Sequence, residues 1–140
     1  MTHAASLASL PPAVLVHLTF ASAAVLLGPV ALWARKGSRG HRGLGYAWVT
    51  VMIGTALSAF FLRSTGKLQL FGFSPIHVLG IVTLAGVTAA LVAIARRNVQ
   101  AHRKFMQRVY LGACVGAGLF TLLPGRYLGD LLWHHTLGMV

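Results

Sequence analysis

Hydrophobic residues run along this chain in four long stretches separated by short polar ones. A bilayer core takes roughly 20 apolar residues per helix, and the stretches at about 11–34, 44–62, 75–95 and 105–123 meet that length. Ser9 before Pro11-Pro12 and Ser74 before Pro75 read as N-caps followed by proline in the first turn. Pro124-Gly125 reads as the stop of the fourth span. Residues 127–140 are too short to span. Leu128, Leu131, Leu132, Trp133 and Leu137 predict a short amphipathic helix there, lying on the outer face. The expected fold is an all-α integral membrane protein of one domain. It is an up-down bundle of four transmembrane helices, made of two tandem helical hairpins, with a C-terminal interfacial helix.

Orientation follows from the basic residues. Arg35, Lys36, Arg39 and Arg42 fall in the first loop, and Arg96, Arg97, Arg103, Lys104 and Arg108 in the third. Only Arg63, Lys67 and Arg126 fall on the other side. The positive-inside rule then places loops one and three in the cytoplasm and both termini outside it. The first ten residues carry no basic n-region, so the first helix reads as retained. A multi-pass protein of the bacterial inner membrane is expected.

Composition narrows the chemistry. Of 140 residues, 56% are hydrophobic and 9% charged, whereas a soluble domain is about a quarter charged. Twelve Lys and Arg face one acid, Asp130, which reads as paired with Arg126. The basic residues lie between apolar runs, so membrane loops explain them and no nucleic-acid partner is expected. One acid excludes a carboxylate acid–base pair and a carboxylate metal cage. One cysteine, Cys114, excludes an internal disulfide and reads as a packing residue. Histidine and arginine are left to carry the polar chemistry.

The histidines repeat. His17 is followed 24 positions later by His41-Arg42, and His77 is followed 25 positions later by His102-Arg103. Each half thus has one histidine on the outer side of an odd-numbered helix and a His-Arg pair closing a basic loop. Spans one and three run the same way, so His17 and His77 share an outer level and His41 and His102 an inner one. Helices one and three, and two and four, are diagonal in such a bundle, about 12–14 Å apart. Two imidazoles reaching inward across a diagonal can hold one metal from opposite sides. Zinc usually takes four protein ligands. Haem iron takes two and leaves two propionates to be neutralised. Arg42 and Arg103 flank the inner pair, and Arg63 and Arg126 lie on the outer side. One or two haem b groups are therefore expected, held by His17 with His77 and by His41 with His102. Trp33, Tyr46 and Trp48 read as an aromatic belt at the inner boundary, and Trp133-His134-His135 as an outer anchor or quinone contact.

The order of His17, His41-Arg42, Ser74-Pro75-Ile76-His77, His102-Arg103-Lys104-Phe105-Met106 and Leu123-Pro124-Gly125-Arg126 resembles bacterial membrane proteins with the domain of unknown function 2306. The resemblance covers most of the chain, implies four helices and brings no activity with it. The architecture is similar to small transmembrane b-type cytochromes, an analogy of layout alone. The chain departs from many of them in placing its inner histidines at loop ends, which makes the outer pair the better placed. The function read from these residues is electron transfer by a cytochrome or cytochrome-like subunit, linked to quinone and a redox partner, rather than stand-alone enzymatic catalysis. Two alternatives remain. One is a non-catalytic membrane subunit or scaffold whose His-Arg corners bind anionic lipids at the cytoplasmic loops. The other is a small metal or quinone site at His17 and His77 with His134 or His135.

Overall fold

A computed structural model describes residues 10–62 and 74–122. Among them all regular structure is helical, with no strand. The elements are α1 (Pro12–Trp33), α2 (Arg39–Ala59), α3 (Pro75–Ala95) and a fourth rod. That rod joins α4 (Val99–Val109), a π-helical segment (Tyr110–Gly116) and α5 (Ala117–Thr121). α1 packs on α2, α2 on α3, α3 on α4, and the π segment back on α1. The four rods therefore close a ring in which odd-numbered helices oppose each other, as do even-numbered ones.

α3 coincides with the expected third span, and α1 lies within one residue of the first at each end. Both are apolar all round, as bilayer helices are. With mean hydropathies of 2.0 and 2.4, they are the two described helices long and apolar enough to cross a membrane. α2 and the fourth rod begin earlier than expected, at Arg39 and Val99. The reason is capping. The Ser38 side chain accepts from the His41 N–H at 3.1 Å, and the Asn98 side chain from the Ala101 N–H at 3.0 Å. The basic connections shrink to 34–38 and 96–98. Arg39, His41, Arg42, His102, Arg103, Lys104 and Arg108 thus ride on helices, not on loops.

α1 is capped differently from expectation: Pro11 is its N-cap, without a side-chain bond, and Ser9 lies outside the described residues. So do Pro124-Gly125 and the segment expected to form the interfacial helix. Gly37, at φ 79°, lets the first connection turn sharply. Arg97 takes that left-handed role in the second connection, at φ 59°. There the Asn98 N–H donates to the Ala93 carbonyl and the Arg97 N–H to that of Ile94, which is a Schellman stop with arginine in glycine's usual place.

The core sits on the bundle axis. Ala24, Trp48, Val49, Met52, Val87, Val109 and Cys114 form it, with Cys114 Sγ 3.6 Å from Met52 Sδ. Trp48 belongs here and not in an interfacial belt: it is 4% exposed, and its indole N–H donates to the Ala24 carbonyl at 3.0 Å. Trp33 and Tyr46 do face outward. Leu26, Val82, Leu111 and Leu119 are each at least 60% exposed, so large apolar side chains stand on the outer surface of the rods. Such a surface suits lipid, where each helix satisfies its own backbone.

Candidate functional site: the histidine-bearing hairpin ends

The inner histidines make the same bond in both hairpins. His41 Nδ1 lies 3.0 Å from the Ala31 carbonyl oxygen of α1, and His102 Nδ1 lies 2.9 Å from that of Ala90 on α3. A carbonyl oxygen can only accept, so these partners assign the proton to Nδ1 and the lone pair to Nε2. Ala31 carries one of the last four carbonyls of α1, which lack an intrahelical donor. The Lys36 ammonium also reaches this end, donating to the Leu32 carbonyl and lying 3.5 Å from that of Ala31. Each imidazole thus ties the start of one helix to the end of the helix before it. The repeat seen in the sequence is a repeat of structure at this end.

The outer histidines differ. His17 Nδ1 turns toward α2, 3.1 Å from the Thr55 carbonyl oxygen and 2.9 Å from Ser58 Oγ. The Ser58 hydroxyl itself donates to Thr55. His77 turns back on its own N-cap: Nδ1 accepts from the Ser74 N–H at 3.2 Å, with Ser74 Oγ 2.8 Å away. This is a capping box with histidine at N3 in place of the usual Glu or Gln. The His77 ring also packs on Phe60, the C-cap of α2, centroids 5.8 Å apart. Both outer rings are engaged beside α2. His17 has its proton on Nδ1, whereas an accepting Nδ1 leaves the proton of neutral His77 on Nε2.

This distinction bears on ligation. A metal-binding histidine commonly donates one ring N–H to a carbonyl and offers the other nitrogen to the metal. His17, His41 and His102 have that form, and His77 has the opposite one. The two inner histidines thus share one form, whereas the two outer ones differ from each other. Among the described residues no group of three or more His, Cys, Asp or Glu gathers to hold a metal ion. Arg42 and Arg103 are exposed beside the inner histidines. Arg63, Arg126, His134 and His135 lie outside the described residues.

Sequence reasoning missed the partners Thr55, Ser58 and Phe60, and also Tyr110, whose hydroxyl donates to the Val25 carbonyl at 3.3 Å. The hairpin clip had a legible signal: a capping Ser or Asn three or four positions before each inner histidine.

A family model described as "Predicted membrane protein (DUF2306)" matches residues 14–128. No match was found among curated proteins or among solved structures.

Proposed function

The chain belongs to this DUF2306 family of predicted membrane proteins, and from that premise we propose that it is a four-span electron-transfer protein holding haem b through His41 and His102. The observation that carries the proposal is the shared inner arrangement. Both imidazoles donate Nδ1–H to a carbonyl of the preceding helix, leaving Nε2 of each as a base at the same end of diagonal rods. The ring order of the helices supports the diagonal pairing. Arg42 and Arg103 would meet the propionates. A haem held there would supply one-electron redox chemistry, with a quinol or donor subunit as the source of the electron and a partner as its acceptor. A second haem at His17 and His77 requires His77 to release Ser74 first.

The placement that goes with this reading is a bacterial inner membrane, with the basic hairpin ends in the cytoplasm and both termini outside. α2 and the fourth rod would cross with α1 and α3, their basic first turns at the headgroups. Reduced-minus-oxidised absorbance of protein expressed with ample haem tests the proposal. A b-type spectrum should disappear in His41→Asn and His102→Asn, which keep a donor for the carbonyl but supply no imidazole, and persist in His77→Ala. Absence of bound haem from the unaltered protein overturns it.

A second reading is favoured by the eight Lys and Arg gathered at the inner end, where the described residues include no acid. On it, Arg42 and Arg103 hold anionic headgroups and the histidines serve only to clip the hairpins, making the protein a membrane scaffold.

A further inference from the structure

Along the α3–α4 hairpin runs an apolar groove in two adjoining parts, of about 450 and about 220 Å³, with Phe105 lining both. It extends along α3 from Leu79 to Ala93, fourteen steps or roughly 21 Å. One leaflet supplies about half of a hydrocarbon core roughly 30 Å thick, so the groove is long enough for an acyl chain. Its open side is easily reached. Val82 on α3 is 60% exposed, and a Cβ added at Gly112 on the π segment would meet nothing within 4 Å.

Two arginines interrupt this apolar lining. Arg96 stands at the inner end of α3, and Arg108 stands farther along, beside Val109. Val109 packs against Gly86, nine steps and roughly 13 Å back from the end of α3 at Ala95. Both arginines are exposed residues, and no acid is present among the described residues. An arginine beside hydrocarbon is costly unless an anion or water meets it.

We propose that this groove holds a resident anionic phospholipid, with an acyl chain along the seam of α3 and the fourth rod and its headgroup drawn by Arg96 and Arg108. Charge complementarity selects this occupant, since a neutral quinone or the apolar face of a second copy would leave both guanidiniums unmet. The site is separate from the histidines and does not depend on haem. It rests only on the bilayer placement of the bundle.

The test is native mass spectrometry of the full chain, purified in mixed micelles containing equal phosphatidylglycerol and phosphatidylcholine. One phosphatidylglycerol should be retained in preference. Arg96→Gln and Arg108→Gln should each lower that retention about fivefold, the loss of one surface cation, while Arg35→Gln, outside the groove, leaves it unchanged. Gly112→Leu and Val82→Trp, filling the groove from opposite helices at open positions, should each abolish it. Equal retention of the two lipids overturns the proposal, as does phosphatidylglycerol retention unaffected by both filling variants. A dimer that Gly112→Leu dissolves would assign the groove to a second copy and overturn it too. Release of the unaltered chain from membranes by alkaline carbonate would remove the bilayer placement itself, a result distinct from loss of lipid preference.

Discussion

Replacing His102 separates its bond from its bulk. In His102→Ala the Ala90 carbonyl, on a residue with no exposed surface, loses the imidazole donor 2.9 Å away. A typical hydrogen bond contributes about 0.5–1.5 kcal/mol net, and membrane interhelical bonds average about 0.6. The lost packing of a half-buried ring adds about 1 kcal/mol at ordinary burial coefficients. His102→Ala should therefore cost about 1.5–2.5 kcal/mol. His102→Asn should recover roughly the bond's share, about 0.5–1 kcal/mol, because its amide N–H starts from nearly the place of Nδ1. The equivalent His41→Ala should cost a similar amount, since Ala31 is an end carbonyl without an intrahelical donor but the Lys36 ammonium also reaches it. Unfolding of each variant in micelles, followed by helical ellipticity against denaturant, gives the comparison. If Asn and Ala at position 102 are equally unstable, the bond to Ala90 contributes nothing and the hairpin clip must be abandoned.

Three other expectations follow from particular contacts. Gly28→Ala would drive a Cβ into the Tyr110 ring. It should cost about 1–3 kcal/mol as overpacking and be relieved in a double variant with Tyr110→Ser, so additive losses in the same unfolding assay would contradict the contact. Arg97→Gly should stabilise the fold by about 0.5–1 kcal/mol, because glycine removes the left-handed cost at φ 59° and gives back part of it as unfolded-state entropy. A lower unfolding midpoint in Arg97→Gly would show that the arginine side chain holds the turn. A cysteine at the exposed first helical position in Arg39→Cys should react with an impermeant maleimide only after the cells are opened, Cys114 being buried. Labelling in intact cells would invert the proposed orientation.

Much of the fold was legible because bilayer helices declare themselves by length and uniform hydropathy. α1 and α3 were readable almost to the residue, since prolines mark their starts and no charged residue interrupts them until Arg35 and Arg96. α2 and the fourth rod were misjudged at their inner ends because hydropathy stops at the last apolar residue, whereas a helix continues to its cap. Ser38 and Asn98 set those starts, through bonds to His41 and Ala101. The π segment had no signal in the pattern, and neither did the placement of Trp48 in the core. Aromatic residues near a boundary look alike in sequence whether they face lipid or a neighbouring helix.

At the candidate site, the sequence alone determined that histidine and arginine must carry the polar chemistry. It also determined that the histidines recur at matching places in two hairpins, because one acid and one cysteine leave no other set. Which nitrogen each ring offers is a tertiary matter. His41, His102 and His17 each reach a carbonyl on another helix, 10, 12 and 38 positions away, whereas His77 bonds within its own first turn at Ser74. Spacing places an imidazole at a depth in the membrane. Only the neighbours brought there by packing decide where its proton sits, because a carbonyl draws the proton to Nδ1 and a backbone N–H drives it to Nε2.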